Sequence, residues 1–370
     1  MLAALSALSA VIWLWLLAFR GGFWRDGPYL PDAPAPAEWP EVVAVVPARN
    51  EAESIGCTVG GLLSQDYPGT LSMIVVDDRS EDTTAAEARA AGGDRLQLVS
   101  GTPLPAGWTG KMWAVSQGIA AASPSAKYIW LTDADIAHGP GVLRELVTAA
   151  EQRSLALTSQ MVLLRCESTW EKLLIPAFVF FFKKLYPFAW INDSANHTAG
   201  AAGGCMLVRL EILAAAGGIA AIKGEVIDDC ALARLLKPLG PIWLGLTRRS
   251  VSLRRYDTLN EIWAMVARTA FVQLKFSYLL VAGTVLGMAL IYLVPPLAFL
   301  LRGEILGLAG WALMSVAYVP TVRLYGLSVW RAALLPLAAL LYTSMTVSSA
   351  YRYGTGHGPR WKDRAYSPRP

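Results

Sequence analysis

The sequence predicts an α/β domain that is flanked at both ends by apolar segments long enough to enter a membrane. Two observations support this fold class. Short β-branched runs alternate with helical patterns from residue 42 to residue 135, and the apolar residues, 54% of the 370, are concentrated near the two ends of the chain. Alternating strands and helices at this spacing indicate a parallel sheet with right-handed crossovers. Ligands of such sheets bind at the carboxyl ends of the strands.

Charge and cysteine content exclude several classes of protein. The chain has 32 basic and 28 acidic residues, and a net charge of +4 is too small to indicate a nucleic-acid partner. The four cysteines show no C-x-x-C spacing, and with three histidines a zinc site is not expected. We therefore expect reduced, structural cysteines, as is usual in the cytosol.

The first apolar segment, Leu2–Phe19, contains no charged residue and is just long enough to span a bilayer. A signal peptide is the alternative, but the basic start and the small-residue cleavage site are lacking. Arg20 and Arg25 follow directly, and the positive-inside rule puts that side in the cytoplasm. We divide this part into a membrane helix (1–20) and a stiff linker (21–41), since five prolines lie between residues 28 and 40.

Four strands are predicted after the linker, at residues 42–47, 72–76, 95–99 and 128–131. Polar or charged clusters follow three of them. Because the carboxyl ends of parallel strands share one edge of a sheet, these clusters should lie together, where a nucleotide would bind.

The most informative cluster is Asp133 and Asp135, directly after the fourth strand. Side chains two apart on an extended chain point to the same side. Two carboxylates placed together are unfavourable unless a cation sits with them. A hard divalent cation takes oxygen ligands and also holds substrate phosphates. The pair therefore predicts a metal–diphosphate site, with a solvated acidic loop as the alternative.

Two later motifs are weaker by themselves. Gly203-Gly204 precedes a predicted strand and lets a backbone pass close to a ligand, but an ordinary hairpin turn explains it equally well. Asp228-Asp229 precedes a predicted helix, where acidic residues are common as caps.

Four motifs in this order resemble the family 2 glycosyltransferases of the nucleotide-sugar-binding A type. They are VVPARNE at residues 45–51, VVDDRS at 75–80, GK at 110–111 and DAD at 133–135, and the resemblance extends over residues 42–240. Residues 174–182, 201–209 and 227–233 also resemble the hopene-associated membrane glycosyltransferases of bacteria.

The resemblance implies a GT-A domain with a mixed, mostly parallel sheet over residues 42–257, and a nucleotide-diphosphate sugar as donor, with UDP favoured. Asp78 would contact the base, with Asp77 as the alternative. Lys111 would neutralise diphosphate charge, although an ordinary lysine at a helix start is the simpler explanation. Asp133 and Asp135 would hold the diphosphate through Mg²⁺ or Mn²⁺. The loop implied to hold the uracil and ribose contains Pro47, Ala48, Arg49 and Glu51.

On the acceptor side, the resemblance implies that Gly203, Gly204 and Cys205 lie beside the donor sugar. Asp229 would be the catalytic base, with Asp228 as its neighbour. The base would accept the proton of an acceptor hydroxyl while the oxygen attacks the anomeric carbon. A single displacement of this kind inverts the configuration of the sugar.

Two C-terminal motifs refine this expectation. Processive relatives carry Gln-x-x-Arg-Trp, whereas residues 265–269 read MVART, which argues for single transfer to a lipid and against a polysaccharide synthase. Arg268 remains a candidate for contacting the diphosphate. The tail at residues 358–366 resembles the Trp-Lys-Gly-Arg-x-Tyr motif of ceramide glucosyltransferases and makes Trp361 a further candidate, although Asp363 replaces the glycine.

The remaining segments predict membrane contact. Residues 170–190 combine aromatics with lysines, which favours a helix in the headgroup layer, with a core helix as the alternative. Residues 258–277 are amphipathic, and the membrane region at 278–351 contains three apolar segments. The basic tail (352–370) belongs in the cytoplasm. Three full crossings would place it outside, so we expect the segment with Pro295-Pro296 to be kinked or re-entrant.

The sequence thus predicts an inverting, metal-dependent glycosyltransferase of the bacterial inner membrane, with its catalytic domain facing the cytoplasm. The acceptor would be a hydroxyl of a membrane lipid, with a hopanoid favoured. One alternative is a polyprenyl-phosphate sugar synthase, and another is a non-catalytic membrane scaffold with a degenerate nucleotide fold. The complete acidic set argues against the scaffold: Asp78, Asp133, Asp135 and Asp229.

Overall fold

The computed structural model describes residues 1–31, 33–356, 360–361 and 364–365, the last four as backbone only. Its strands are β1 (Val42–Ala48), β2 (Leu71–Asp77), β3 (Leu96–Ser100), β4 (Tyr128–Leu131), β5 (Ile136–His138), β6 (Leu157–Leu163), β7 (Met206–Arg209), β8 (Ile242–Ser252), β9 (Arg360–Trp361) and β10 (Arg364–Ala365). Its α-helices are α1 (Leu2–Phe19), α2 (Ile55–Leu63), α3 (Thr84–Gly92), α4 (Gly110–Ala120), α5 (Val142–Gln152), α6 (Thr169–Leu185), α7 (Phe188–Ile191), α8 (Leu210–Ala215), α9 (Asp228–Leu236), α10 (Leu259–Gln273), α11 (Tyr278–Met288), α12 (Val294–Arg302), α13 (Ile305–Leu324) and α14 (Leu335–Gly354).

The first eight strands form one sheet in the order β3-β2-β1-β4-β7-β6-β8-β5. The pairs β1–β2, β2–β3, β1–β4 and β6–β8 are parallel, whereas β4–β7, β6–β7 and β5–β8 are antiparallel. Six strands therefore run in one direction, and β5 and β7 run in the other. This confirms the mixed, mostly parallel sheet of an α/β domain.

The sheet is covered by helices on both faces because its central strands are apolar throughout. Every residue of β1 is buried. Val43 and Val45 point into a core that includes residues of α4, α6 and α9, whereas Val42, Ala44 and Val46 point into a second core with α2 and α5. This alternation is the two-sided burial expected of a strand in the middle of a parallel sheet.

Protein covers α6 on both sides, which favours the core-helix alternative for residues 170–190. Val179 packs in the sheet core, while Leu174, Ala177 and Phe180 pack with residues of α1, α10, α13 and α14. A helix that is apolar all round needs a partner on each face. Here α6 is the layer that joins the sheet to the apolar helices.

Replacing Phe180 should therefore weaken the packing of α6 against the apolar helices. Its side chain is completely buried, and its ring centroid lies 5.3 Å from that of Phe23 and 5.1 Å from that of Tyr318. Phe180→Ala should lower the free energy of unfolding by about 3–5 kcal/mol, the usual cost of such a cavity. Thermal unfolding in detergent would measure it. Leu185→Ala, at the half-exposed end of the same helix, is the matched control and should have little effect.

Four helical segments of the described chain are long and apolar enough to cross a membrane: Leu2–Phe19, Tyr278–Arg302, Ile305–Leu324 and Val329–Gly354. The first confirms the N-terminal prediction to the residue. Large apolar side chains such as Leu279 and Leu286 are exposed on the outside of these helices. Such an exposed apolar surface indicates membrane association.

The proline pair does not make its segment re-entrant. Residues 278–302 are helical throughout, with a π-helical turn at Ala289–Leu293 between α11 and α12. Pro295 and Pro296 occupy the first turn of α12, where the missing N–H of a proline costs no helical hydrogen bond. The π-helical turn therefore accommodates the prolines without breaking the segment.

The connector after α13, and not the proline pair, reverses the direction of the chain. The Trp311 indole N–H, near the start of α13, donates to the Ala333 carbonyl (3.0 Å), so residues 325–334 return along α13 before α14 begins. The hydroxyl of Tyr278, where α11 starts, lies 3.5 Å from the Ala350 carbonyl near the end of α14. The last turn of α14 consequently lies beside the α/β domain.

Candidate active site

A cavity of about 2800 Å³ opens at the carboxyl edge of the sheet and extends to α6, α10 and α14. The elements around it explain why polar side chains meet there. Glu51 follows β1, Asp133 and Asp135 lie between β4 and β5, and Gly203 precedes β7, which runs in the opposite direction. Most residues predicted for the site line this cavity: Pro47, Glu51, Lys111, Asp133, Asp135, Gly203, Gly204, Asp228, Asp229 and Arg268.

Lys111 links two acidic segments of the cavity. Its Nζ lies 2.8 Å from Asp133 Oδ1 and 3.0 Å from Asp228 Oδ2. Burial alone would lower the pKa of Lys111, but the two carboxylates outweigh burial and raise it. Burial would likewise raise the pKa of Asp133, and the charge of Lys111 lowers it instead. The lysine is therefore a fixed positive charge at the start of α4.

Arg254 also links two acidic residues of the cavity. It follows β8, and its Nε lies 2.7 Å from Asp135 Oδ2 while its Nη2 lies 2.6 Å from Glu51 Oε1. Burial would lower the pKa of Arg254, but Asp135 and Glu51 raise it. In this structure each aspartate of the DAD motif is thus paired with a different cation.

Asp229 differs from its acidic neighbours because backbone amides hold it. Its Oδ2 accepts a hydrogen bond from Gly203 N–H (3.1 Å) and its Oδ1 from Cys230 N–H (2.7 Å). Burial and then the charge of Asp228 raise the pKa of Asp229 to about 6, although Lys111 opposes this. A carboxyl group with that pKa is suited to accepting a proton near neutral pH.

Gly203 allows Lys111 and Asp229 to approach each other. A Cβ atom on Gly203 would lie 3.4 Å from Lys111 Nζ and 3.6 Å from Asp229 Oδ2, in contact with both charged groups. The absence of a side chain thus leaves room in the cavity between the lysine and the aspartate.

The predicted base-binding residues lie beside the cavity. Ala48, Arg49, Asp77 and Asp78 are not among its lining residues in the described chain. Arg49 donates to the carbonyl oxygens of Asp78 (2.8 Å) and Arg79 (2.6 Å), which ties the loop after β1 to the loop after β2. Asp78 is completely buried, whereas Asp77 is partly exposed and accepts from Ser80 N–H.

Two other predicted residues remain, Cys205 and Trp361. Cys205 is completely buried in the sheet core, so its side chain does not line the cavity beside Gly203 and Gly204. The side chain of Trp361 lies outside the described residues.

Comparison with known proteins gives one family match. Residues 43–216 match the family described as Glycosyl transferase family 2. These residues, 174 of the 370, are thus similar to that family. No curated protein matches the sequence.

Among solved structures, the chain resembles the mannosyltransferase PcManGT from Pyrobaculum calidifontis, which was solved with GDP-Man and Mn²⁺. The TM-score is 0.56 at 18% identity, over 95% of this chain and 98% of that chain. A second similar structure is glucosyl-3-phosphoglycerate synthase from Mycobacterium tuberculosis with Mn²⁺ and UDP-glucose. Its TM-score is 0.41 at 19% identity, over 64% of this chain and 78% of that one. The first of these likenesses supports the GT-A fold across nearly the whole chain.

The described residues contain no preformed metal cluster, since no three His, Cys, Asp or Glu side chains come together as ligands. Asp133 and Asp135 nevertheless fit a divalent cation. Mg²⁺ typically takes one or two protein carboxylates and completes its ligands with water and substrate phosphates. Asp133 and Asp135, on one loop at the cavity, would supply these two protein carboxylates.

Sequence reasoning missed Arg254 and the strand before it. β8 has charged residues in its second half, so its alternation did not resemble the apolar strands that were predicted. A signal was present, because residues 254–257 read RRYD, another polar cluster after a strand. Once β8 is known to run parallel to β6, this cluster must lie on the same edge as the DAD motif.

Proposed function

We propose that this protein is a membrane-bound glycosyltransferase that transfers a sugar from a nucleotide-diphosphate donor, with UDP favoured, to a hydroxyl group of a membrane lipid. One observation carries the proposal. The cavity that contains Lys111, Asp133, Asp135 and Asp229 continues without interruption to the helices that join the domain to the apolar bundle.

The donor end of the cavity suits a diphosphate. Lys111 provides a positive charge beside Asp133, and Arg268 lies near enough to contribute to the lowered pKa of Asp133. Mg²⁺ or Mn²⁺ held by Asp133 and Asp135 would neutralise charge on the departing nucleotide diphosphate. Ala48, Arg49 and the Asp77-Asp78 pair are proposed to form the base and ribose site next to the cavity.

Asp229 is proposed as the catalytic base, with Asp228 as the neighbour that raises its proton affinity. The two amides that hold the Asp229 carboxylate fix its direction, and Gly203 leaves space beside it. The acceptor hydroxyl would give its proton to Asp229 as its oxygen attacks the anomeric carbon. The nucleotide diphosphate then leaves from the opposite face, so the product has inverted configuration.

The acceptor end of the cavity suits a lipid. Its walls on α6 and α10 include apolar and aromatic side chains beside the polar Glu261, Arg268 and Gln273, and both helices pack against the apolar bundle. We favour a hopanoid, on the resemblance of residues 174–182, 201–209 and 227–233, and a bacterial inner membrane with the domain in the cytoplasm. The apolar lining consists of Phe178, Phe182, Tyr186, Met265 and Val272.

A polyprenyl-phosphate sugar synthase is the second candidate, and one observation favours it. Arg234, Lys275 and Arg352 line the cavity, and no carboxylate of the described residues lies within ion-pair distance of them. Such cations would suit a phosphate headgroup. A phosphate acceptor needs no general base, so full activity of Asp229→Asn would favour this candidate over a hydroxyl acceptor.

Reconstitution tests the proposed function. The purified protein in vesicles, with Mg²⁺ or Mn²⁺ and a panel of sugar nucleotides, should release nucleotide diphosphate only when an acceptor lipid is present. A hopanoid with a free hydroxyl and a polyprenyl phosphate are the two acceptors to compare. Metal-dependent nucleotide binding without turnover on any acceptor would contradict the proposal and support the scaffold.

The pH dependence follows from the raised pKa of Asp229. Its carboxylate must be ionised to accept a proton, so kcat/KM should be constant at neutral pH and fall about tenfold per pH unit below about 6. Because the pKa is raised, the activity is lost as pH falls through 6 and not through the ordinary value near 4. An acidic limb near pH 4 would show that Asp229 is not the group that titrates.

A further inference from the structure

The Arg254 guanidinium occupies the position where a cation bound to Asp135 would sit. It bridges Asp135 and Glu51 at 2.7 and 2.6 Å, and both carboxylates line the cavity. The fork of a guanidinium provides several donors in fixed directions, so one arginine side chain can hold both carboxylates at once. The bridge brings together the loop after β1, the DAD loop and the segment after β8.

Hydrogen bonds hold the backbone around Arg254, whereas its side chain is partly exposed to the cavity. Leu253 N–H donates to the Asp135 carbonyl (2.7 Å), and Tyr256 N–H donates to Glu171 Oε1 (2.8 Å). Ser168, the N-cap of α6, donates from its hydroxyl to the Tyr256 carbonyl (3.0 Å). The Arg254 side chain is about a third exposed, on the cavity side. The side chain can therefore leave Asp135 without a change in the main chain.

A divalent cation and this guanidinium would repel each other if both contacted the Asp135 carboxylate. Both are positive, and at distances of a few ångströms in a partly buried site their repulsion is substantial. Resting on the proposed function, we propose that Arg254 is the internal counter-cation of the metal site. It neutralises Asp135 and Glu51 while the donor is absent, and it is displaced from Asp135 when the metal arrives with the nucleotide.

This arrangement makes binding of metal and nucleotide synergistic. A metal ion alone must displace Arg254, and it gains only the carboxylates of Asp133 and Asp135 as protein ligands. A metal ion accompanied by a diphosphate gains the phosphate oxygens as ligands, and the released guanidinium gains an anion in place of Asp135. The donor complex should therefore bind far better than either component, which limits futile occupation of the cavity by metal.

Binding of Mn²⁺ to the full chain in lipid nanodiscs, followed by the electron paramagnetic resonance of free Mn²⁺, tests this proposal. Without nucleotide, Arg254→Gln should bind Mn²⁺ at least about tenfold more tightly than wild type, since one nearby charge shifts such equilibria by an order of magnitude or more. Arg254→Lys keeps the charge and should bind as wild type does. Addition of UDP should reduce the difference in Mn²⁺ affinity between Arg254→Gln and wild type.

Arg255→Gln is the matched control, because Arg255 is the next residue, is largely exposed and pairs only with Asp257 within the described chain. It should leave Mn²⁺ affinity unchanged. Thermal unfolding of each variant shows whether it is folded, and Arg254→Met, which also removes the charge, replaces the glutamine variant if that variant is not folded. Equal or weaker Mn²⁺ binding by Arg254→Gln would overturn the counter-cation proposal alone. Failure of every variant to bind Mn²⁺ even with UDP would overturn the metal-dependent function as well.

Discussion

Asp135→Asn is expected to lower turnover by on the order of a thousandfold. The substitution keeps the size of the side chain but removes the charge that would hold a divalent cation beside the diphosphate, and losing one well-placed electrostatic contact commonly has this effect. The fold should survive, because Glu51 remains to pair with Arg254. Steady-state release of nucleotide diphosphate in vesicles is the measurement.

The control for this prediction is Asp66→Asn. Asp66 is exposed and pairs with Arg144 on the surface, so its loss should change turnover less than twofold. Turnover of Asp135→Asn close to that of wild type, at saturating metal, would show that the DAD motif does not serve the donor.

Asp229→Asn should lower kcat by about 10²- to 10⁴-fold, the usual contribution of a general base, while donor affinity stays the same. The asparagine oxygen can still accept from Gly203 N–H or Cys230 N–H, but the amide cannot take a proton. Separate measurement of kcat and of donor binding distinguishes a lost base from a disturbed site.

The same variant should be more stable than wild type at neutral pH. Because the fold raises the pKa of Asp229, its ionised form is less favourable in the folded protein than in the unfolded chain. The loss of stability begins as pH rises above the ordinary carboxyl pKa and is complete above about 6. The asparagine side chain carries no charge to bury, so a higher unfolding temperature at pH 8 with lower kcat would identify a site that favours function over stability. A lower unfolding temperature would indicate a structural role instead.

The local patterns could predict the strands and loops that hold most of the site. The apolar run at residues 128–131 ends at two aspartates, and this alone placed Asp133 and Asp135 at the end of a buried strand. The order of the strands could not be predicted, because β7 enters between β4 and β6 through contacts between distant parts of the chain. Arg254 was missed for that reason, since only the position of β8 brings it to Asp135.

The apolar helices show the same limit of prediction from sequence. Composition correctly predicted four apolar segments, but it could not show which face of each would be covered by protein. Residues 170–190 have the aromatics and lysines of an interfacial helix, yet the second apolar face of α6 is used by the bundle. The return of the chain through residues 325–334 likewise depends on a contact between Trp311 and Ala333.

Transfer of radiolabelled sugar from a nucleotide donor into an organic-extractable lipid tests the central claim most directly. Wild-type protein in vesicles that contain an acceptor lipid should form a labelled lipid in the presence of Mg²⁺ or Mn²⁺, and Asp135→Asn and Asp229→Asn should form almost none. Label that stays in the aqueous phase with every donor and acceptor, although UDP binds with metal, would contradict the assignment of this cavity as a site of glycosyl transfer to lipid.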